Sequence, residues 1–387
     1  MGAAGAMARV SVRDLLASEG VERIGLADLK LDRVREVSDK LGDDRLEAIQ
    51  ADANDAGSMK QALTGYDAVI NSTWYALNLK VMGSAIKGGL HYLDLGGLYH
   101  MTLKQLDMDR QARDAGVSCI LGLGSAPGVT NLMAAFGASR LSKILAVKIR
   151  VGGGAAKPSP GLFNPPYSFR TILDEACLPA AVLRGGRIEM VPGLSVKEGF
   201  ELPDPVSRVE GYITLHSELA TLPKSLGKGI QDMDFIVAFS PEFTRALHLL
   251  VNLGLAAKDE VRLPGGKVVP YELLTRLVDI LPRPEGTPFD FGVRRVELIG
   301  EASGHSAHLI YDCISGPHDK WGIGGRALGT GVPASLGAQW LARGWVKQKG
   351  VFPPESVIDP KAFLHELAEN GRGILTYEDE GTGRHQL

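Results

Sequence analysis

The stretch Met1-Gly2-Ala3-Ala4-Gly5-Ala6-Met7-Ala8, running into Arg9-Val10-Ser11-Val12-Arg13-Asp14-Leu15-Leu16, decides how the rest of the chain is read. Gly2, Gly5 and Ala8 form a G-x-x-G-x-x-A pattern, and Val12, Leu15 and Leu16 are spaced as one apolar face of a helix. Residues this small let backbone close on a pyrophosphate, and a helix N-terminus supplies N–H donors and the positive end of its dipole. The next apolar run, Ile24-Gly25-Leu26-Ala27-Asp28, reads as a strand closed by an acid. That acid falls about twenty residues on, where a dinucleotide-binding fold takes a ribose hydroxyl. Gly2, Gly5, Ala6, Met7 and Asp28 are therefore candidate cofactor-binding residues. The alternative is a small-residue turn before a surface helix, with Asp28 an ordinary strand-end acid. Because the sequence opens at the glycine turn, the apolar first strand that normally lies centrally in such a sheet is missing. Either the assigned start is too late, or the chain is trimmed, or cofactor binding is impaired.

At 387 residues the chain is too long for one modest core, and two domains are expected. Its 44% hydrophobic and 22% charged residues are those of an ordinary globular protein, expected in the cytoplasm. A net charge of -3 gives no electrostatic case for nucleic acid or an anionic membrane. Cys119, Cys177 and Cys313 are widely spaced and odd in number, so neither a disulfide framework nor a metal site is expected. No apolar run reaches membrane-spanning length.

From Asp28 onward helices and strands alternate as in a Rossmann-type doubly wound parallel α/β sheet, expected over residues 1–125. Leu31, Val34, Val37 and Leu41 share a helix face; Leu46 to Ile49 is a strand ending near Asp52, either an adenine contact or a solvated strand end. Asp67 to Asn71 is the fourth strand of the expected sheet, and its exit, Ser72-Thr73-Trp74-Tyr75, is the carboxyl end at which open α/β sheets bind ligands. Ser72 and Thr73 are assigned to the cofactor and Tyr75 to the substrate. His91-Tyr92-Leu93-Asp94-Leu95 is a further strand; Asp94 in that apolar context must be paired or functional. Thr102 is expected to cap a helix reaching Gly116, and the turn Gly122 to Asn131 to hinge two domains.

Asp28, Val69-Ile70-Asn71-Ser72, His91-Tyr92-Leu93-Asp94-Leu95-Gly96-Gly97 and Ala126-Pro127-Gly128-Val129-Thr130-Asn131, in that order, resemble the saccharopine dehydrogenase-like oxidoreductases, and most of all their lysine 6-dehydrogenase branch. The resemblance spans nearly the whole chain, and A-P-G-x-x-N is its most specific piece. It implies a nicotinamide-dependent enzyme acting at a carbon–nitrogen bond; the residues alone support only a dinucleotide-binding enzyme. It also implies a homodimer or larger symmetric assembly.

Residues 126–329 read as an α+β substrate and oligomerisation domain, and 330–387 as a segment returning to the first domain. A Pro-rich loop follows Gly152-Gly153-Gly154, then Tyr167-Ser168-Phe169-Arg170, with Ser168 a helix cap. The resemblance places this helix start at the substrate pocket, with Gly128, Asn131, Tyr167, Arg170 and Thr221 as substrate-side candidates. Arg170 departs from the lysine 6-dehydrogenase pattern: its guanidinium suits a substrate carboxylate, or is a solvated first-turn charge. Gly211-Tyr212-Ile213-Thr214-Leu215-His216-Ser217-Glu218-Leu219-Ala220-Thr221-Leu222-Pro223 also carries the resemblance. His216 titrates near neutrality, and Glu218 suits an ammonium, so Asp94, Tyr212, His216 and Glu218 are the catalytic candidates, with the base among them unassigned. His305 and His308, three apart in a strand, point to opposite faces and do not share a metal. A helix is expected to open at Thr330, another at Asp359-Pro360, and the residues from Asp379 to fray.

The first expectation is oxidative deamination of the lysine ε-amine with NAD, since Asp28 would repel a 2′-phosphate. Lys30 and Arg33 could still accept that phosphate, which leaves NADP open. A saccharopine or carboxynorspermidine dehydrogenase or reductase is the alternative, favoured by Arg170. An inactive cofactor-binding homologue is the reading from another class.

Overall fold

The computed structural model describes residues 1–155, 163–282, 289–379 and 384–387. The expected Pro-rich loop lies partly outside these residues. After the glycine turn, helix α1 (Ala6–Ala17) starts with Gly5 at its N-cap and no side chain over its first amides. Strand β1 (Ile24–Asp28) runs parallel to β2 (Leu46–Gln50), joined through α2 (Leu31–Leu41), which stops at a left-handed Gly42. Helix α3 (Ala56–Leu63), capped by Asp55 on the N–H groups of Gly57 and Ser58, leads to β3 (Ala68–Asn71). Helix α4 (Asn78–Gly88) then leads to β4 (His91–Asp94), and β5 (Ser118–Ile120) lies beside it, all parallel.

β1 and β3 are not paired with each other. A cavity of ≈ 530 Å³ lies between them, lined by β1, by Ala68, Val69 and Ile70, and by residues of α1 and α3. At its carboxyl end Met1 bridges the gap, its amino group donating to Ile70 O at 2.9 Å and its carbonyl accepting from Ser72 N at 3.0 Å; Ala3 N donates to Ala27 O.

The second sheet is built from β6 (Lys143–Ala155), β7 (Ala180–Arg184), β8 (Arg187–Val191), β9 (Lys197–Glu201), β10 (Arg208–Ile213) and β11 (Asp232–Val237). After a small hairpin of β12 (Val261–Leu263) and β13 (Gly266–Val268), the long pair β14 (Asp290–Ala302) and β15 (His305–Ser315) completes its middle. Only β6 and β11 run parallel among the described pairs of this sheet, the mark of an α+β domain.

The C-terminal segment serves both domains. Helix Gly325–Ala342 packs on α1 and β14, and β16 (Gly350–Phe352) adds a parallel strand beside β5. β17 (Ile374–Asp379) instead joins β15, and β18 (Arg384–Gln386) pairs with β17 rather than fraying. Arg384 is held by Asp312 at 3.0 Å and by the Tyr377 ring, which pins β18, while residues 380–383 lie outside the described residues. Two further expectations are corrected. Thr102 lies inside a helix, Leu98–Leu106, and a separate helix, Asp109–Asp114, follows, so that Asp109 can accept from Val351 N and anchor β16. The helix expected at Thr330 opens at Gly325, where Asp290 accepts the Arg326 amide at 3.1 Å. No helix among the described residues is long and apolar enough to cross a membrane.

Candidate active site

A second cavity, of ≈ 260 Å³, lies where the carboxyl ends of β3 and β4 meet the second domain. Met7, Ser72, Thr73 and Gly96 line it from the first domain, and Tyr167, Glu175, His216 and Arg326 from the second.

The first domain fits a dinucleotide on its own geometry. Gly2 has φ +72°, and a Cβ there would stand 2.9 Å from the Ser72 carbonyl, so only glycine lets the turn lie this close to β3. Gly5 leaves the first amides of α1 uncapped, the arrangement that receives a phosphate. Asp28 accepts from Ala4 N at 3.2 Å and Lys30 N at 3.1 Å, fixing the turn to β1. A carboxylate has further lone pairs, so Asp28 keeps capacity for a ribose hydroxyl. The Ser72 hydroxyl is buried with no partner, an orphan that a bound ligand would satisfy. Asp52 is tied into its own loop, accepting from Asn54 N at 2.8 Å.

In the second domain a buried proton-bearing cluster faces the cavity. Strand β10 ends at Ile213, and the following turn places His216 flat on the Phe235 ring, centroids 3.7 Å apart. His216 Nδ1 is hydrogen-bonded to Glu218 Oε2, and Glu218 Oε1 accepts from Thr130 at 2.8 Å. Burial alone would depress the imidazolium, but the charge and hydrogen bond of Glu218, with Glu175 behind them, leave its pKa above the ordinary value. Glu175, on the helix Phe169–Cys177 that Ser168 caps, accepts a hydrogen bond from the Tyr167 hydroxyl. Its burial pushes the carboxyl up to about 7, against the pull of His216. Ser217 Oγ, also at the cavity, has no partner. Glu175, brought close to neutrality, and the imidazole of His216 can take a proton from an amine and return it.

Several residues expected at the site are placed differently. Asp94 is 1% exposed and does not line the cavity. Its oxygens accept from Gly96 N, Gly122 N, Asn78, Tyr92 and Gln105, at 2.7–3.1 Å. Five neutral donors leave it a structural knot between the ends of β4 and β5. Tyr212 packs edge-on against His248, away from the cavity lining. Arg170 is not free for a substrate: it pairs through both terminal nitrogens with Glu272, at 2.9 and 3.2 Å, and stacks near Trp74 and Tyr271. Asn131 accepts from Gly128 N and donates to Glu355 and Thr221, and so builds the interdomain turn. Gly128, at φ +121°, is required there because a Cβ would stand 2.4 Å from Gly124 backbone. Tyr75 lines the cavity with its hydroxyl committed to Asp174 at 2.8 Å. Thr73 lines it too, its hydroxyl on Asn71.

Three residues at the cavity were not singled out from the sequence: Glu175, Arg294 and Arg326. Glu175 reads as one of two neighbouring acids on a helix, and the arginines as ordinary charges. No pattern in the chain marks them; only the packing of Phe169–Cys177, β14 and helix Gly325–Ala342 around one space does.

Comparison with known proteins accords with this geometry. The saccharopine dehydrogenase NADP binding domain matches residues 1–120, and the saccharopine dehydrogenase C-terminal domain matches residues 124–372. The chain belongs to the saccharopine dehydrogenase family and is an NAD(P)-dependent oxidoreductase of the amino acid and amine dehydrogenase kind. It is 26% identical over 385 residues to a carboxyaminopropylagmatine dehydrogenase of Synechocystis sp., covering 95% of this chain and 94% of that protein. A carboxynorspermidine synthase of Vibrio cholerae is 24% identical over 354 residues, covering 85% and 82%. The apo saccharopine dehydrogenase (L-Glu forming) of Saccharomyces cerevisiae superposes with a TM-score of 0.73 over 97% of this chain and 98% of that one, at 17% identity, which shows the shared fold.

Proposed function

We propose that the protein interconverts a carboxylated secondary amine with an aldehyde and a primary amine, using NAD(P). The carrying observation is the buried His216–Glu218–Glu175–Tyr167 cluster at the junction of the two domains, facing the exit of β3. The nicotinamide supplies the hydride chemistry, and Gly2, Gly5, Asp28, Ser72 and Thr73 are the residues that would hold the dinucleotide.

In the oxidative direction the carbon beside nitrogen loses hydride, water adds to the resulting imine, and the carbon–nitrogen bond of the carbinolamine breaks. The sum is secondary amine, NAD(P)⁺ and water giving aldehyde, primary amine, NAD(P)H and a proton. His216 takes the proton from the amine or from the carbinolamine hydroxyl at its free nitrogen, since Nδ1 is engaged by Glu218. Glu218 stabilises the imidazolium, and Glu175, paired with Tyr167, gives a second place for a proton near pH 7.

The names of the relatives favour a carboxylated polyamine over lysine. Lysine ε-deamination, first among the expectations from sequence, uses the same proton transfers. Initial rates with lysine, saccharopine, carboxynorspermidine and carboxyaminopropylagmatine, each with NAD and NADP, decide between them. Turnover of lysine alone overturns the carboxylated-amine reading, and turnover of none overturns the enzyme.

A further inference from the structure

We infer that Arg326, with Arg294 buried behind it, forms a carboxylate-binding subsite in the interdomain cavity that Glu175 and His216 also line. The inference relies on the proposed carbon–nitrogen chemistry only for the identity of the rest of the substrate.

Arg294 is 1% exposed on β14, and its charge faces no carboxylate among the described residues. Its guanidinium donates only to neutral groups: Ser125 Oγ, the carbonyls of Gly292 and Cys313, the Cys313 sulfur, and Ser315 Oγ at 2.9 Å. Desolvation disfavours the cation, lowering its pKa. A buried guanidinium without a counter-charge is expensive, and an anion bound beside it would offset that cost. Room for it has been made deliberately. A Cβ on Gly329 would sit 1.6 Å from the Arg294 terminal nitrogen, so helix Gly325–Ala342 carries glycine where the guanidinium lies.

Arg326 supplies the reachable half. It opens the same helix and lines the cavity at 32% side-chain exposure. Its nearest carboxylate, Asp290, accepts the Arg326 backbone amide, while the side-chain Nε stands 4.0 Å from the other oxygen, too far for a hydrogen bond. No hydrogen bond from its guanidinium is described, so the planar fork is open to a bidentate acceptor. Gly153 lies against it: a Cβ there would stand 2.5 Å from Arg326 Nε, so this glycine lets the guanidinium lie against β6. Tyr167 and Glu175 line the same cavity. A molecule carrying a carboxylate and an amine thus meets a guanidinium and a carboxyl group in one space. Arg170, the arginine expected for this role, is already paired with Glu272.

The test uses the full chain and a non-reactive probe, glutarate, titrated calorimetrically beside its uncharged diamide. Glutarate binding is expected with wild type and is weakened at least about tenfold in Arg326→Gln and in Arg294→Met, with the diamide binding to none of them. NADPH affinity, measured by fluorescence, should stay within a few-fold and so certifies the fold; Arg326→Lys should retain part of the binding. In turnover, the kcat/KM preference for a carboxylated amine over its decarboxylated counterpart should fall at least about tenfold in Arg326→Gln, chiefly through KM. Glutarate binding equal in wild type and Arg326→Gln, absent from wild type, or matched by the diamide overturns the subsite. Should no amine be turned over, the proposed reaction fails while the glutarate titration still reports on the arginines.

Discussion

The buried carboxylates at the end of β4 and at the interdomain cavity are built on opposite plans. Asp94, at the end of β4, is surrounded by five donors, two of them backbone amides, none of them charged. Burial pushes its pKa up, and those hydrogen bonds push back. Glu175 and Glu218 have few donors and share their neighbourhood with His216, which can give or take a proton, and with Tyr167, which donates to Glu175. Saturation with rigid donors makes a carboxylate a structural knot; leaving a proton contested beside a cavity makes it chemistry.

The largest expected effect tests the second plan. His216→Gln should lower kcat/KM by about 10²–10⁴-fold, the range for loss of a positioned acid–base group, well beyond what its loss of stability accounts for when rates are compared on folded protein. A variant that retains near-wild-type rates would make the cluster as structural as Asp94. Next comes Asp94→Ala, which strands five donors in the ends of β4 and β5 and should cost roughly 3–5 kcal/mol in urea unfolding. If it folds with wild-type stability but loses catalysis, the two clusters have been assigned the wrong way round.

Glu175→Gln works between the two. The Glu175 pKa is raised from 4.5 to about 7 in the folded chain, so the native state holds a proton that the unfolded state has released. Its contribution is therefore intact below about pH 4.5 and is lost as pH rises to about 7, a decline of about 3 kcal/mol. The variant should flatten this part of the stability profile, unfolding at higher urea than wild type at pH 8 and not at pH 4.5, with reduced turnover. An unchanged profile would mean that Glu175 ionises without penalty.

How far the sequence shows these differences depends on the distance over which each is made. The glycine turn, the strand acid Asp28 and the His216–Glu218 pair are local, so a linear reading already brings them together as candidates. Asp94 is legible as a buried acid in need of partners, but Gln105 and Gly122, which supply them, arrive through the packing of neighbouring elements. Arg294 and Arg295 show the limit most clearly. They are adjacent on β14 and point to opposite faces, so one forms a two-pronged pair with Asp312 at 2.8 Å while the other lies under a helix with no anion. Nothing in Val293-Arg294-Arg295-Val296 says which is which. The cavity between β1 and β3 is likewise a product of packing: it lies between two strands that do not pair with each other.

The smallest expected effect separates the arginines themselves. Arg170 pairs with Glu272, whose side chain is 59% exposed, and lies 5.5 Å from the Trp74 ring and 5.7 Å from that of Tyr271. An exposed pair of this kind is worth roughly 0.2–1 kcal/mol, because water screens it and two long side chains must be held still. The ring contacts add a similar amount at a partly exposed position. Arg170→Ala should therefore lower stability by about 1 kcal/mol and leave the KM for a carboxylated amine within about twofold of wild type. The reason is geometric: both terminal nitrogens already face a carboxylate of the protein, so a substrate would have to displace Glu272 to use them. A large rise in KM in this variant, without one in Arg326→Gln, would move the anion site from β14 and its overlying helix to the start of helix Phe169–Cys177.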